Sequence, residues 1–179
     1  MIQILALSGS LRSNSSNTTL LKAAALLTPV NATITLYDAI PNLPHFSPDL
    51  EGVHIPSVAH FRDHIKAADG ILISCPEYGH GVPGAFKNAL DWIIGSGEFH
   101  RKPVALLNAS ERANYAFDAL WEIIGTMDAN LIAEASPTIP IQGKLLDAQA
   151  IASNPTFAIP LKAAIQELVK AIQETKTTK

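Results

Sequence analysis

The sequence has a single cysteine, Cys75, among its 179 residues. No disulfide can close within the chain, and a reducing, cytoplasmic setting is expected. It has no basic stripe either: 13 Lys and Arg stand against 16 Asp and Glu, a net charge of −3. With no row of cations to displace counterions, nucleic acid is not expected as a partner. No apolar run approaches the ~18 residues of a membrane helix, so no membrane partner is expected. The opening Met-Ile-Gln-Ile-Leu lacks the charged, apolar and cleavable regions of a secretory leader. Repeats, low-complexity tracts and long linkers are missing too, and the length suits one domain over residues 1–179. What remains is a chain 47% hydrophobic and 16% charged, with the composition of a globular protein.

The apolar residues fall into two periods. Residues 2–7, 70–75 and 103–108 are short, nearly continuous apolar runs, as expected of parallel strands covered on both faces. In residues 33–37, Thr33 and Thr35 alternate with Ile34 and Leu36, which suits a half-exposed edge strand. A weaker fifth strand is expected at 130–135. Between these runs, residues 17–27, 57–68, 84–94, 113–127 and 161–172 carry apolar side chains at helical spacing, such as Val58, Phe61, Ile65 and Ala68. The alternation predicts an α/β fold of three layers: a doubly wound, five-stranded parallel sheet in the order 2-1-3-4-5. Ligands of such sheets bind beyond the carboxyl ends of the strands, where the strand order reverses between the first and third strands.

Two loops are expected at that reversal. The first, Leu-Ser-Gly-Ser-Leu-Arg-Ser-Asn-Ser-Ser-Asn, follows the first strand and opens the first helix. Helix N-terminal N–H groups attract anions. Ser10, Ser13, Ser15, Ser16, Asn17 and Thr18 add short donors, and Arg12 adds a fork suited to phosphate. In an ordinary polar loop, Asn17 alone would serve as the N-cap. The loop lacks both G-x-G-x-x-G and G-x-x-x-x-G-K-[ST], which excludes the dinucleotide and nucleoside-triphosphate signatures. The third strand ends at Cys75 rather than an aspartate, which disfavours a phospho-acceptor receiver. A monophosphate on a larger ligand is left. The second loop, Cys75 to Trp92, holds Pro76, Pro83 and the glycines Gly79, Gly81 and Gly84. Exposed amides beside Tyr78 and His80 suit a flat heteroaromatic ring, although a glycine-rich turn with no ligand would read the same way.

Together, GSLRSNSSNTTLL and PEYGHGVPGAFKNALDW, with KPVALLNAS between later elements, resemble the signatures of the NAD(P)H-dependent FMN reductase family, whose fold is flavodoxin-like. The resemblance spans most of residues 1–130. It implies that Ser10, Arg12, Ser15 and Asn17, with Ser16 and Thr18 beside them, hold the FMN phosphate. Pro76, Glu77, Tyr78 and Gly79, followed by His80 and Gly81, would line the isoalloxazine, largely through backbone. Ser110 would contribute after the fourth strand. The family commonly has Asn at the position of Gly79, and a glycine-rich loop where this chain reads NASERANYA, residues 108–116, without glycine.

The implied enzyme is an FMN-dependent oxidoreductase. NADPH or NADH delivers hydride to flavin N5 and leaves, and a quinone, flavin, azo or nitro acceptor then takes its place, a ping-pong exchange. His80 is the candidate proton donor to a reduced acceptor, its alternative being simple packing beside the flavin. A homodimer or homotetramer is implied as well. The rivals on the same fold are an FMN electron carrier, which holds a stable half-reduced flavin, and a flavin-free regulatory domain. Elsewhere, His60 and His64 read as solvated rather than metal ligands, and Arg101 with Lys102 as a solvated pair, the alternative being contact with a 2′-phosphate. Trp92 and Phe99 suit core or interface. Residues 38–56 read as a proline-rich surface loop that could cover the site.

Overall fold

The computed structural model describes residues 1–177. Their parallel sheet comprises β1 (Ile2–Ser8), β2 (Ala32–Tyr37), β3 (Gly70–Ser74), β4 (Pro103–Leu107) and β5 (Asn130–Leu131), in the order 2-1-3-4-5. The helices are α1 (Ser16–Leu26), α2 (Pro56–Ala67), α3 (Gly84–Asp91), α4 (Asn114–Thr126), α5 (Ala148–Ser153) and α6 (Pro155–Thr177).

Strand side chains alternate between two cores, as a period of two requires. Ile4, Ala6, Leu72, Ala105 and Leu107 face one layer, packed with Leu20 and Leu21 of α1 and Leu161, Ile165 and Leu168 of α6. Leu5, Leu7, Ile71, Ile73, Val104 and Leu106 face the other, with Phe61 and Ile65 of α2, Phe86 and Leu90 of α3, and Leu120 and Ile124 of α4. Burial on both faces explains why the central strands read as unbroken apolar runs.

Two expected elements need correction. The fifth strand is two residues long, not six. Ser136 Oγ accepts the Leu106 N–H at 2.9 Å, a bond a strand carbonyl would otherwise take. The chain tightens there into a 3-10 turn, Ala133–Ala135. The last helix begins at Pro155, not at residue 161. Proline suits a first helical position because its missing N–H is not needed there, and the helix absorbs Pro160 one turn later. The short α5, capped by Asp147 Oδ1 on the Ala150 N–H at 2.7 Å, had no periodic signal long enough to read.

The segment after β2 does not line the crevice described below. Asn88 and Trp92 hold it against α3: Asn88 Nδ2 and Trp92 Nε1 both donate to the Pro44 carbonyl, at 2.9 and 2.8 Å. Trp92 and Phe99 are therefore core residues. Lys102 is not a solvated partner of Arg101. Its ammonium donates to the Ile65 and Ala68 carbonyls at 2.6 and 2.5 Å, closing the C-terminal end of α2. Both residues precede β4, at the amino ends of the strands and opposite the crevice, so neither can meet a ligand there.

Candidate functional site

β1 ends at Ser8, and the Gly9 N–H continues the ladder by donating to the Ser74 carbonyl at 2.9 Å. A Cβ on Gly9 would lie 2.9 Å from Cys75 Cβ and 3.0 Å from its Cα, so only glycine lets the two crossing segments approach. The loop then folds on its own hydroxyls. Ser8 Oγ accepts the Ser10 N–H and Ser10 Oγ the Arg12 N–H, both at 3.3 Å. Ser15, not Asn17, is the N-cap of α1: its Oγ accepts the Thr18 N–H at 3.4 Å. The amides of Ser16 and Asn17, in the first turn, take no intrahelical partner.

Asn17 is buried inside the first turn, and its Oδ1 lies 2.9 Å from Ser74 Oγ, which ties α1 to β3 across the strand-order reversal. Thr18 turns away from the opening, its hydroxyl 2.7 Å from Ser8 Oγ. Arg12 is exposed, and among the described residues no carboxylate pairs with its guanidinium.

Opposite stands the loop after β3. Cys75 is buried, and that burial pushes its thiol pKa well up, so the sulfur stays protonated. Tyr78 and Gly81 exchange backbone hydrogen bonds at 3.0 and 3.2 Å. Gly79 and His80 between them have φ of 57° and 60°, as in a type I′ turn. Asn and Gly are the residues that enter this left-handed region most readily. Glycine at position 79 therefore makes the turn as an asparagine would.

The loop after β4 is held without glycine by two polar turns. Asn108 Oδ1 accepts the Ser110 N–H and Ser110 Oγ the Arg112 N–H, both at 3.1 Å. Glu77 reaches across to this loop, its Oε2 accepting the Ala116 N–H at 3.0 Å in the first turn of α4. The His80 and Tyr115 rings stack with centroids 4.5 Å apart.

These loops enclose a crevice of two lobes, of about 820 and 600 Å³. Ser10, Arg12, Ser15, Ser16, Asn17 and Tyr78 line the larger, Cys75 and Ser110 the smaller, and Asn17, Pro76 and Glu77 both. Of the residues expected from sequence, Thr18 supports the loop from behind, and Gly79, His80 and Gly81 shape the turn without lining either lobe. The reading from sequence missed a third wall. Ile141 and Gln142 both donate backbone N–H groups to the Ala109 carbonyl, at 3.1 and 3.0 Å. Gln142 and Gly143 line both lobes, and Lys144 the larger. The available signal was Gly143 between Gln142 and Lys144 after the last strand, a turn with φ of 78° at Gly143. Glu77 and Asp147, the acids lining the larger lobe, each accept an N–H at a helix N-terminus, and Arg12, Lys22 and Lys144 outnumber them.

A family model described as NADPH-dependent FMN reductase matches residues 2–140. An NAD(P)H-dependent FMN reductase of Pseudomonas aeruginosa is 36% identical over 162 residues, covering 83% of this chain and 87% of that protein. An NADPH:quinone oxidoreductase of Arabidopsis thaliana is 46% identical over 96 residues, and the chain spans 49% of its length. The solved structure of FerB, a flavoenzyme NAD(P)H:(acceptor) oxidoreductase from Paracoccus denitrificans, superposes with a TM-score of 0.86 at 26% identity, covering 97% of this chain and 98% of that one.

Proposed function

The chain belongs to the NADPH-dependent FMN reductase family, and from that membership we propose that it passes hydride from NAD(P)H to a quinone, flavin, azo or nitro acceptor through FMN seated in the two-lobed crevice. It is an oxidoreductase of the flavodoxin-like fold, with FMN and NAD(P)H as its cofactors. The observation that carries the reading is that the Arg12 loop and the Pro76–Tyr78 loop, far apart in sequence, form opposite walls of one crevice with Asn17 and Glu77 between them.

The residues present fit the cofactor. In the larger lobe, the Ser10, Ser15 and Ser16 hydroxyls, the Ser16 and Asn17 amides and the Arg12 guanidinium offer a phosphate a set of donors and a positive field. Hydrogen bonds to a charged group contribute about 1.5–3 kcal/mol each. A handful offsets the ~4–15 kcal/mol entropic cost of association. Pro76, Glu77 and Tyr78 would flank the ring, with Ser110 and Gln142 along its edges. FMN, when bound, supplies the hydride acceptance and release, and the protein supplies position and electrostatics. The protonated Cys75 takes no nucleophilic part. His80, stacked on Tyr115, serves as packing at the rim rather than as an acid, and solvent supplies the proton to the acceptor. Donor and acceptor use the same opening in turn. The name of the plant relative supports a quinone as one acceptor.

The exposed Tyr78 and Tyr115 rings at this rim support an assembly of two or four copies with the crevice near the contact, which sedimentation would measure. Among the described residues no helix is long and apolar enough to cross a membrane, and a cytoplasmic setting is proposed.

The test is the visible spectrum of the purified chain, followed by anaerobic NADPH and, separately, NADH. Flavin bands that bleach with a nicotinamide donor and return with a quinone support the proposal, as do parallel initial-rate lines. A colourless protein that takes up no FMN contradicts it. So do flavin bands indifferent to both donors, which would mark an electron carrier.

A further inference from the structure

α4 starts with a deficit. Ala113, at its N-cap, has no side-chain acceptor, and the helix carries no acidic residue in its first turn. The first N–H groups of a helix need partners, and a carboxylate there gains both a hydrogen bond and the favourable end of the helix dipole. Glu77 provides one from 39 residues away, at 3.0 Å from the third helical amide, that of Ala116. On the outer side of the same joint the His80 ring stacks on Tyr115 at 4.5 Å, 29° from parallel. Glu77 and Pro76 from one loop, and Arg112 and Ala113 from the other, line the same lobe.

We infer that Glu77 is a positioning residue: its carboxylate acts on α4 rather than on the ligand, and with the His80–Tyr115 stack it fastens the β3–α3 loop to the glycine-free β4–α4 loop as one rigid wall of the crevice. Without the fastening, the two loops leave different strands and are free to part. The tie supplies from a distance the order that the loop's own Asn108 and Ser110 turns give only to its first half. The inference rests on the flavin reading above for its functional consequence, but the joint itself does not.

The test uses the full chain with two readouts, FMN affinity and hydrogen exchange at the Ala116 amide. Glu77→Ala should raise the FMN dissociation constant about tenfold and speed Ala116 exchange by a similar factor, the scale of a lost helix cap. Glu77→Gln keeps an acceptor oxygen without the charge, so it should restore both to within about threefold of the wild type. A cap that served stability alone would change exchange and leave FMN affinity where it was, and that result overturns the inference. A Glu77→Gln variant as poor in FMN affinity as Glu77→Ala overturns it too, because the carboxylate would then be acting directly on the ligand. If Glu77→Ala does not fold, Tyr115→Ala takes its place: weaker FMN binding supports the joint, and unchanged binding overturns it. A wild-type protein that takes up no FMN defeats the flavin reading instead. Ala116 exchange then decides the joint alone, and unaltered protection in the Glu77 variants ends it.

Discussion

Gly9 shows how little room a single position leaves. Its Cα faces Cys75 so closely that an added Cβ would meet the Cys75 side chain and backbone at 3.0 Å or less. Gly9→Ala should cost about 1–3 kcal/mol, the range of overpacked sites, seen as a lower urea midpoint. Shortening the opposing side chain with Cys75→Ala should recover part of that loss, since the backbone contact stays. A Gly9→Ala protein as stable as the wild type would mean that the two segments part more easily than their packing implies. At Glu98 the matter is charge. Burial works to raise its pKa, but hydrogen bonds from Ser96 and Arg62 and the Arg62 charge, with the ion pair at 2.8 Å, prevail and hold it below the ordinary range. A carboxyl whose folded pKa is lowered stabilises the protein above its unfolded value, about 4.3 for glutamate. That stabilisation disappears as pH falls through the folded value. Wild-type stability should therefore fall more steeply than that of Glu98→Gln below this pH, and parallel urea-midpoint curves would contradict the assignment.

At the level of elements, α2 and α3 are tied to the rest by polar bonds that periodicity does not announce. Lys102 closes α2 by donating to the Ile65 and Ala68 carbonyls. Lys102→Met keeps most of the apolar stem and leaves those acceptors short of a donor, at about 1–3 kcal/mol. Chemical denaturation would measure it, and no loss would mean that water replaces the ammonium at no cost. The helices and central strands were legible because Leu5, Leu7, Ile71 and Ile73 on one side, and Ile4, Leu72 and Leu107 on the other, must all be buried. The fifth strand was not, because Ser136 completes the pairing with a side chain. Nor was the start of α6, because Pro155 and Pro160 read as interruptions when only a helix end or interior is considered. Among the residues that line the crevice, Ser10 and Arg12 could be named from residue type and place after a strand, and Pro76 and Ser110 from the family resemblance. The roles of Ser15 as cap, of Thr18 as a brace on Ser8 and of Glu77 on α4 depend on where side chains turn in space. So does the wall at Gln142, which reaches the crevice because residues 138–142 run parallel to Asn108 and Ala109, just beyond β4.

Across the whole molecule, the amino and carboxyl ends of the strands divide the work. At the amino ends, Asp69 accepts the Gln3 N–H at 2.9 Å and pairs with Lys176 at 2.8 Å, joining β1, β3 and α6. At the carboxyl ends of the strands lies the crevice, where among the described residues no carboxylate pairs with Arg12, the group proposed to hold the flavin phosphate. Breaking the Asp69–Lys176 pair should lower stability without changing flavin affinity, and replacing the exposed Arg12 should do the reverse. The most direct test of the account is the FMN content and FMN dissociation constant of Arg12→Ala beside the wild type, with circular dichroism to establish that both are folded. The account predicts a folded variant that loses most of its flavin on purification and rebinds it at least about tenfold more weakly, the worth of one charged hydrogen bond. A folded Arg12→Ala protein that keeps its FMN as tightly as the wild type would contradict it.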